Sequence, residues 1–132
     1  MDFSALVLME RDKETKFLTK ELGSYQVSEG AEYINKLFYD GEKINLYFDT
    51  IKDVLEWEYS AIFDLFNMGS FIEKGLEIEE IEEEYNPTYL VKFSFNEEHE
   101  EMREILNDIC FLIKEEMDKV FENIKGKEED YK

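Results

Sequence analysis

A chain of 132 residues with 43% hydrophobic content, 11 Phe and 8 Tyr is one domain that can bury about two thirds of its unfolded surface, and this excludes intrinsic disorder. Its formal charge of −19 repels nucleic acid and anionic membrane and favours basic partners or cations. One cysteine excludes an internal disulfide and any multi-cysteine zinc site, and no apolar run reaches the roughly 18 residues of a membrane span.

The opening MDFSALVLMERD has neither a basic n-region nor a small-residue cleavage site, so it reads as a strand of a cytosolic protein rather than a signal peptide. Phe3 to Met9 is apolar on both alternating faces, the pattern of a central strand covered on both sides. Arg11 to Glu14 is a polar turn, and Lys16 to Tyr25 returns as a more amphipathic second strand. Gly23 and Gly30 bracket a loop or bulge. Tyr33 to Tyr39 and Lys43 to Phe48 flank Asp40-Gly41, a hairpin signal because a type I′ turn needs positive φ at both centres.

Thr50 to Asn67 follows as the expected core helix. At 100° per residue, Ile51, Val54, Leu55, Tyr59, Ala61, Ile62, Leu65 and Phe66 share one side, with Trp57 and Phe63 on its flanks. A helix apolar around so much of its girth is buried against more than one neighbour. Thr50 is placed to cap it, Asp53 adds a favourable charge to its first turn, and Asn67-Met68-Gly69 supplies its stop. Ser70 to Lys74 reads as one further turn closed by Gly75.

Glu58 breaks the pattern, because its helical neighbours are Val54, Leu55, Ala61 and Ile62. A carboxylate there must find a partner or keep its proton. Two readings follow: a structural carboxylate that reaches the edge of the helix–sheet interface or accepts hydrogen bonds from a strand tyrosine or lysine, or, together with Trp57 and strand tyrosines, a small-ligand pocket serving binding or acid–base chemistry.

Leu76 to Glu84 is a glutamate-rich edge strand that bulges or runs into a turn, its charges discouraging pairing with another molecule. After Asn86-Pro87, Tyr89, Val91, Phe93 and Phe95 give one apolar strand face. Asn96 is the expected cap of a final helix of nearly thirty residues, about 43 Å long, with Glu97, Glu98, Glu100 and Glu101 crowding its positive end. Its stripe runs through Met102, Ile105, Leu106, Ile109, Leu112, Ile113, Met117, Val120, Phe121 and Ile124. A domain of this size covers about 30 Å of such a helix, so its far end is free to project or to meet a partner. Residues 1–126 form the single domain, and the tail 127–132 is expected to fray.

Phe111 stands opposite that stripe among Asn107, Asp108, Lys114, Glu115 and Asp118, a seam for homodimerisation through the C-terminal helix. Cys110 sits at the margin of the stripe, where a buried thiol is the ordinary finding. The only histidine, His99, lies eleven residues away, about 16 Å along the helix axis, too far for a catalytic dyad. It reads as a solvated helix residue.

No metal or cofactor is expected. The glutamate runs lack the loop spacing and bend glycine of calcium sites, and His99 has no second histidine. No G-x-S-x-G motif and no glycine-rich phosphate loop occurs. The acidic residues 51–132 hold twenty-four acids against nine bases, whereas residues 1–50 hold ten against six. Either this excess serves solubility alone, or Glu79, Glu80, Glu82, Glu83, Glu84, Glu97, Glu98, Glu100 and Glu101 imitate a phosphate backbone and occupy the basic groove of a protein partner.

The opening LVLMERDKETKFLTKELGSY and the segment WEYSAIFDLF resemble a small family of uncharacterised acidic proteins from clostridia-like bacteria, over nearly the whole chain. That resemblance implies no activity and transfers no functional residue. The expected fold is α+β in two layers, a largely antiparallel sheet of about six strands with two helices, in the order ββββ-α-ββ-α. The expected function is non-enzymatic binding or inhibition of a basic protein partner, without membrane or direct nucleic-acid contact.

Overall fold

In the computed structural model, which describes residues 4–12 and 14–131, six strands build one open sheet with helices packed on one face. Phe3, the expected start of the first strand, and Lys13 and Lys132 lie outside the described residues. The strands are β1 (Ser4–Arg11), β2 (Leu18–Val27), β3 (Ile34–Tyr39), β4 (Ile44–Asp49), β5 (Glu77–Ile81) and β6 (Thr88–Phe93). The helices are α1 (Glu56–Leu65), α2 (Gly69–Ile72) and α3 (His99–Ile124), with single 3-10 turns at Ala31–Tyr33 and Glu128–Tyr131. The order ββββ-α-ββ-α and the α+β class are those the sequence implies.

The strands lie in the order β2-β1-β3-β4-β6-β5. All pairings are antiparallel except β1 with β3, which run parallel through two residue pairs, Met9 with Phe38 and Glu10 with Tyr39. The period of two buries Ile44, Leu46 and Phe48 of β4 and Tyr89, Val91 and Phe93 of β6 in one core with Ala61 and Ile62 of α1, Phe71 of α2 and the stripe of α3. Rings fill its centre: Phe48 stacks on Tyr89 at 5.3 Å and on Phe71 at 5.8 Å, and Phe66 on Tyr89 at 4.4 Å. Glutamate-rich β5 is an edge strand, as its charges require.

The opposite face of the sheet is open, which corrects the expectation for β1. Leu8 is fully buried beneath the helices, but Val7 on the other side is 44% exposed. The apolar residues of this face are shielded by long side chains lying across them. The Arg11 guanidinium sits 4.6 Å from the centre of the Phe38 ring and the Lys36 ammonium 5.2 Å from that of Tyr47.

The core helix is also shorter than its periodicity predicts. It begins at Glu56, not Thr50. Ile51 has φ of +64° in a tight turn closed by the Lys52 amide donating to the Thr50 carbonyl at 2.6 Å, so the chain leaves helical space there. Thr50 does not cap the helix; its hydroxyl donates to the Lys52 carbonyl at 2.9 Å, and Asp53 precedes the first turn. The β3–β4 hairpin forms as expected, but its turn centres on Gly41-Glu42. The Asp40 carboxylate accepts from the Glu42 and Lys43 amides at 2.9 and 2.8 Å.

α3 starts two residues later than expected. Its cap is Glu98, whose carboxylate accepts from the Glu101 amide at 2.6 Å, while Asn96 shapes the preceding turn by accepting from the Glu98 amide. At 26 residues it is about 39 Å long. Its far end does not project: Ile124 is buried in the core, and beyond it the Tyr131 hydroxyl donates to Asp64 of α1 at 2.6 Å.

Candidate functional site

A groove of about 510 Å³ runs between α2 with its following segment and the outward side of α3. Both walls follow from local sequence. Phe66 ends α1, and the single turn of α2 drives Phe71 fully into the core. Gly75, at φ +81°, then reverses the chain so that the Leu76 amide donates to the Phe71 carbonyl at 3.1 Å. On α3, the three- and four-residue spacing of Ile105, Ile109, Leu112 and Glu116 sets three aliphatic side chains and one carboxylate along the same wall.

Glu116 is 3% exposed, a buried charge that must be held by hydrogen bonds. The Ser70 hydroxyl donates to its Oε2 at 2.7 Å, and the Asn67 side-chain amide donates in turn to Ser70 Oγ at 2.9 Å. Lys119 Nζ stands 3.7 Å from the same oxygen and 3.1 Å from Glu115 Oε1. The bond from Glu115, with the charge of Glu116 behind it, pushes the Lys119 ammonium above its usual range. Phe111 stands at the lip, 63% exposed, beside Asp108 and Glu115. The groove thus has an aliphatic floor, an aromatic lip, a mixed rim in which Glu73, Asp108 and Glu115 outnumber Lys74 and Lys119, and a buried carboxylate at one end.

Glu116 was legible in the sequence and missed. It lies four residues after Leu112 and four before Val120, on the same apolar stripe, as Glu58 lies on the stripe of α1. The outward setting of Phe111 is as expected.

The structure brings Trp57 and Glu58 together on the wall of a second, shallower depression of about 320 Å³, with Lys52, Phe121, Lys125 and Glu128. Glu58 is half-buried and has a partner: its Oε1 accepts from the Leu55 amide at 2.8 Å, one half of a capping box at the start of α1. The Trp57 indole N–H is buried without a hydrogen-bond partner.

The two acidic runs do not form one row. Glu79 lies on β5, and Glu80 is half-buried opposite Tyr89; Glu82, Glu83 and Glu84 lie in the turn after β5, pinned by the Tyr59 hydroxyl to the carbonyls of Glu82 and Glu84 at 2.9 Å each. Burial, with Glu82 adding to it, raises the Glu80 carboxyl above the usual range. Glu97, Glu98, Glu100 and Glu101 lie beyond the other end of β6, whose six residues span about 17 Å. Glu100 is occupied by Arg103 at 2.6 Å, and Glu101 accepts from the Asn96 side chain at 2.9 Å.

His99 is exposed but engaged: its ring stacks on Tyr25 at 4.7 Å and its Nε2 lies 3.0 Å from the Ser24 carbonyl. Cys110 is fully buried, and burial pushes its thiol up to about 12. A thiol held protonated is a poor nucleophile. Among the described residues, no group of three or more His, Cys, Asp or Glu is placed to hold a metal ion, and no helix is long and apolar enough to cross a membrane.

A family of unknown function, DUF6762, matches residues 1–132. The chain belongs to that family. Its whole length is covered, so the sheet, the groove and the Trp57 depression all fall within the DUF6762 region. No curated protein and no solved structure matches the chain. Membership of DUF6762 therefore assigns no activity, and the function has to be argued from the groove.

Proposed function

We propose that this chain is a non-enzymatic binding module that takes a basic, amphipathic protein segment in the groove between α2 and α3. The observation that carries the reading is Phe111, an aromatic ring 63% exposed at the lip of an aliphatic groove and flanked by carboxylates. Such a surface offers an apolar anchor point to a partner while its rim selects for lysine and arginine. The mimicry of nucleic acid draws less support, because the two glutamate runs flank β6 from opposite ends and do not form one row.

The test uses an amphipathic Leu/Lys peptide, with a Leu/Glu peptide of the same pattern as control, titrated into labelled protein and read by amide chemical shifts. Shifts confined to residues 70–76 and 105–119, abolished in Phe111→Ser and weakened by salt, are expected. Shifts centred on Glu82 to Glu84 or on Glu97 to Glu101, or none, overturn the reading.

The second reading, a small-ligand pocket at Trp57 and Glu58, has one observation in its favour: a ligand with an acceptor atom would satisfy the unpaired Trp57 indole N–H. Glu58→Gln tests it, because glutamine preserves the capping bond. Loss of a ligand's affinity with unchanged stability supports the pocket; unchanged affinity rejects it.

A further inference from the structure

The most basic stretch of this acidic chain is Arg11 to Lys20, RDKETKFLTK, with four bases and two acids. Its described residues, all but Lys13, lie at the end of the β1–β2 hairpin and include the apolar pair Phe17 and Leu18, 73% and 56% exposed. The tip is shaped in advance. Asp12 Oδ1 accepts from the Glu14 and Thr15 amides at 2.8 and 2.9 Å, and the Asp12 amide donates to the Phe17 carbonyl at 2.9 Å. The Arg11 guanidinium donates to the Lys16 carbonyl at 3.0 Å, with Lys16 at φ +67°. These bonds hold Phe17 and Leu18 outward at little further cost in entropy on binding.

We infer that the groove between α2 and α3 receives this hairpin tip from a second copy of the chain. The inference rests on the groove being a docking surface, and it names an occupant. The chemistry is complementary: an exposed aromatic and a leucine between Lys16 and Lys20 meet an aliphatic floor and the Phe111 ring between Asp108 and Glu115, the latter shared with the exposed Lys119 of its own helix. The spacing agrees. Four residues of extended chain separate the lysines by about 13 Å, and seven helical residues separate the two acids by about 10 Å along α3. The tip cannot serve its own groove. α2 packs on β5, at the sheet edge opposite β2, roughly 24 Å away, and α3 meets β2 at its far end, His99 at Ser24 and Asn107 at Ser28, and runs on away from the tip. Each copy offers one tip and one groove, so the contact repeats in a closed two-fold dimer or in a larger assembly.

The test is the mass of the full chain by light scattering over a concentration series. Wild type is expected to self-associate, and Phe17→Asp and the pair Lys16→Glu, Lys20→Glu each to raise the dissociation constant at least tenfold. Asp108→Lys with Glu115→Lys should do the same, and joining those reversals to the lysine reversals should restore assembly. Circular dichroism confirms that each variant is folded, which these exposed positions allow. A monomeric wild type, or assembly indifferent to Phe17→Asp, overturns the inference. The Leu/Lys peptide keeps the two questions apart: if Phe17→Asp does not alter assembly but Phe111→Ser still abolishes peptide binding, the groove stands and the second copy does not. If both hold, Phe17→Asp should bind the peptide more tightly, its groove having been freed.

Discussion

Gly30→Ala offers a direct probe of how α3 is seated on the sheet. Gly30 has φ of +111°, and a β-carbon built there would lie against the Cys110 carbonyl, 2.6 Å from its carbon. Ordinary contact needs about an ångström more, and neither backbone can give way alone. Moving the loop off α3 would break the bonds that the Ser28 amide and hydroxyl donate to Asn107 Oδ1, at 2.8 and 3.0 Å, each worth about 0.5–1.5 kcal/mol. The left-handed backbone adds about 1–2 kcal/mol for an L-residue. The total is about 2–5 kcal/mol, a large share of the roughly 5–15 kcal/mol that holds a domain together. Gly75→Ala is the control: its φ is +81°, but no atom lies within 4 Å of the added carbon. It should cost only the backbone part, about 1–2 kcal/mol. Urea unfolding followed by the fluorescence of Trp57 measures both. If Gly30→Ala costs no more than Gly75→Ala, the steric argument is wrong and α3 does not rest on that loop.

Three further outcomes follow from the same bonds and burials. Tyr89→Phe should raise stability by about 1 kcal/mol in urea melts, because the hydroxyl is buried without a partner; a loss of that size would show that it has one. Leu55→Ser should raise the thermal midpoint by an amount equivalent to about 1 kcal/mol, since Leu55 caps α1 with extended backbone, is 63% exposed and offers no acceptor; a lower midpoint would refute the cap assignment. Cys110 should resist iodoacetamide in the native state at pH 8 and react in step with unfolding, a comparison made by mass spectrometry across a urea series. Its folded value lies above that of the unfolded thiol, so the unfolded chain holds fewer protons as pH rises. Stability should accordingly fall from about pH 9 to about 12, and less so in Cys110→Ala.

Patterns that local chemistry determines were readable without coordinates. The β3–β4 hairpin, the alternating face of Tyr89, Val91 and Phe93, and the long stripe of α3 depend on spacing alone. Thr50 to Leu55 misled because its apolar spacing continues that of α1, while a β-branched residue at positive φ and a leucine in the cap position leave no signature. β1 misled for a different reason. Residues apolar on both faces suggest cover on both, but here no helix lies on the open side and Val7 stays 44% exposed. The lip of the groove was visible in Phe111, whereas its other wall comes from α2, thirty-five or more residues earlier in the chain, and only tertiary packing joins the two. Strand order has the same origin: nothing local tells β1 to lie parallel to β3.

That parallel seam has a consequence for the order in which the molecule matures. Through the sheet, the first hairpin is fastened to the other four strands by two residue pairs, and α3, lying against both β2 and α1, straps it down. The earliest quarter of the polypeptide thus depends on the latest. During synthesis, β1 and β2 must wait for α3 as far as Asn107 and Cys110 before they are locked, and a chain cut short before those residues would leave its N-terminal hairpin adrift.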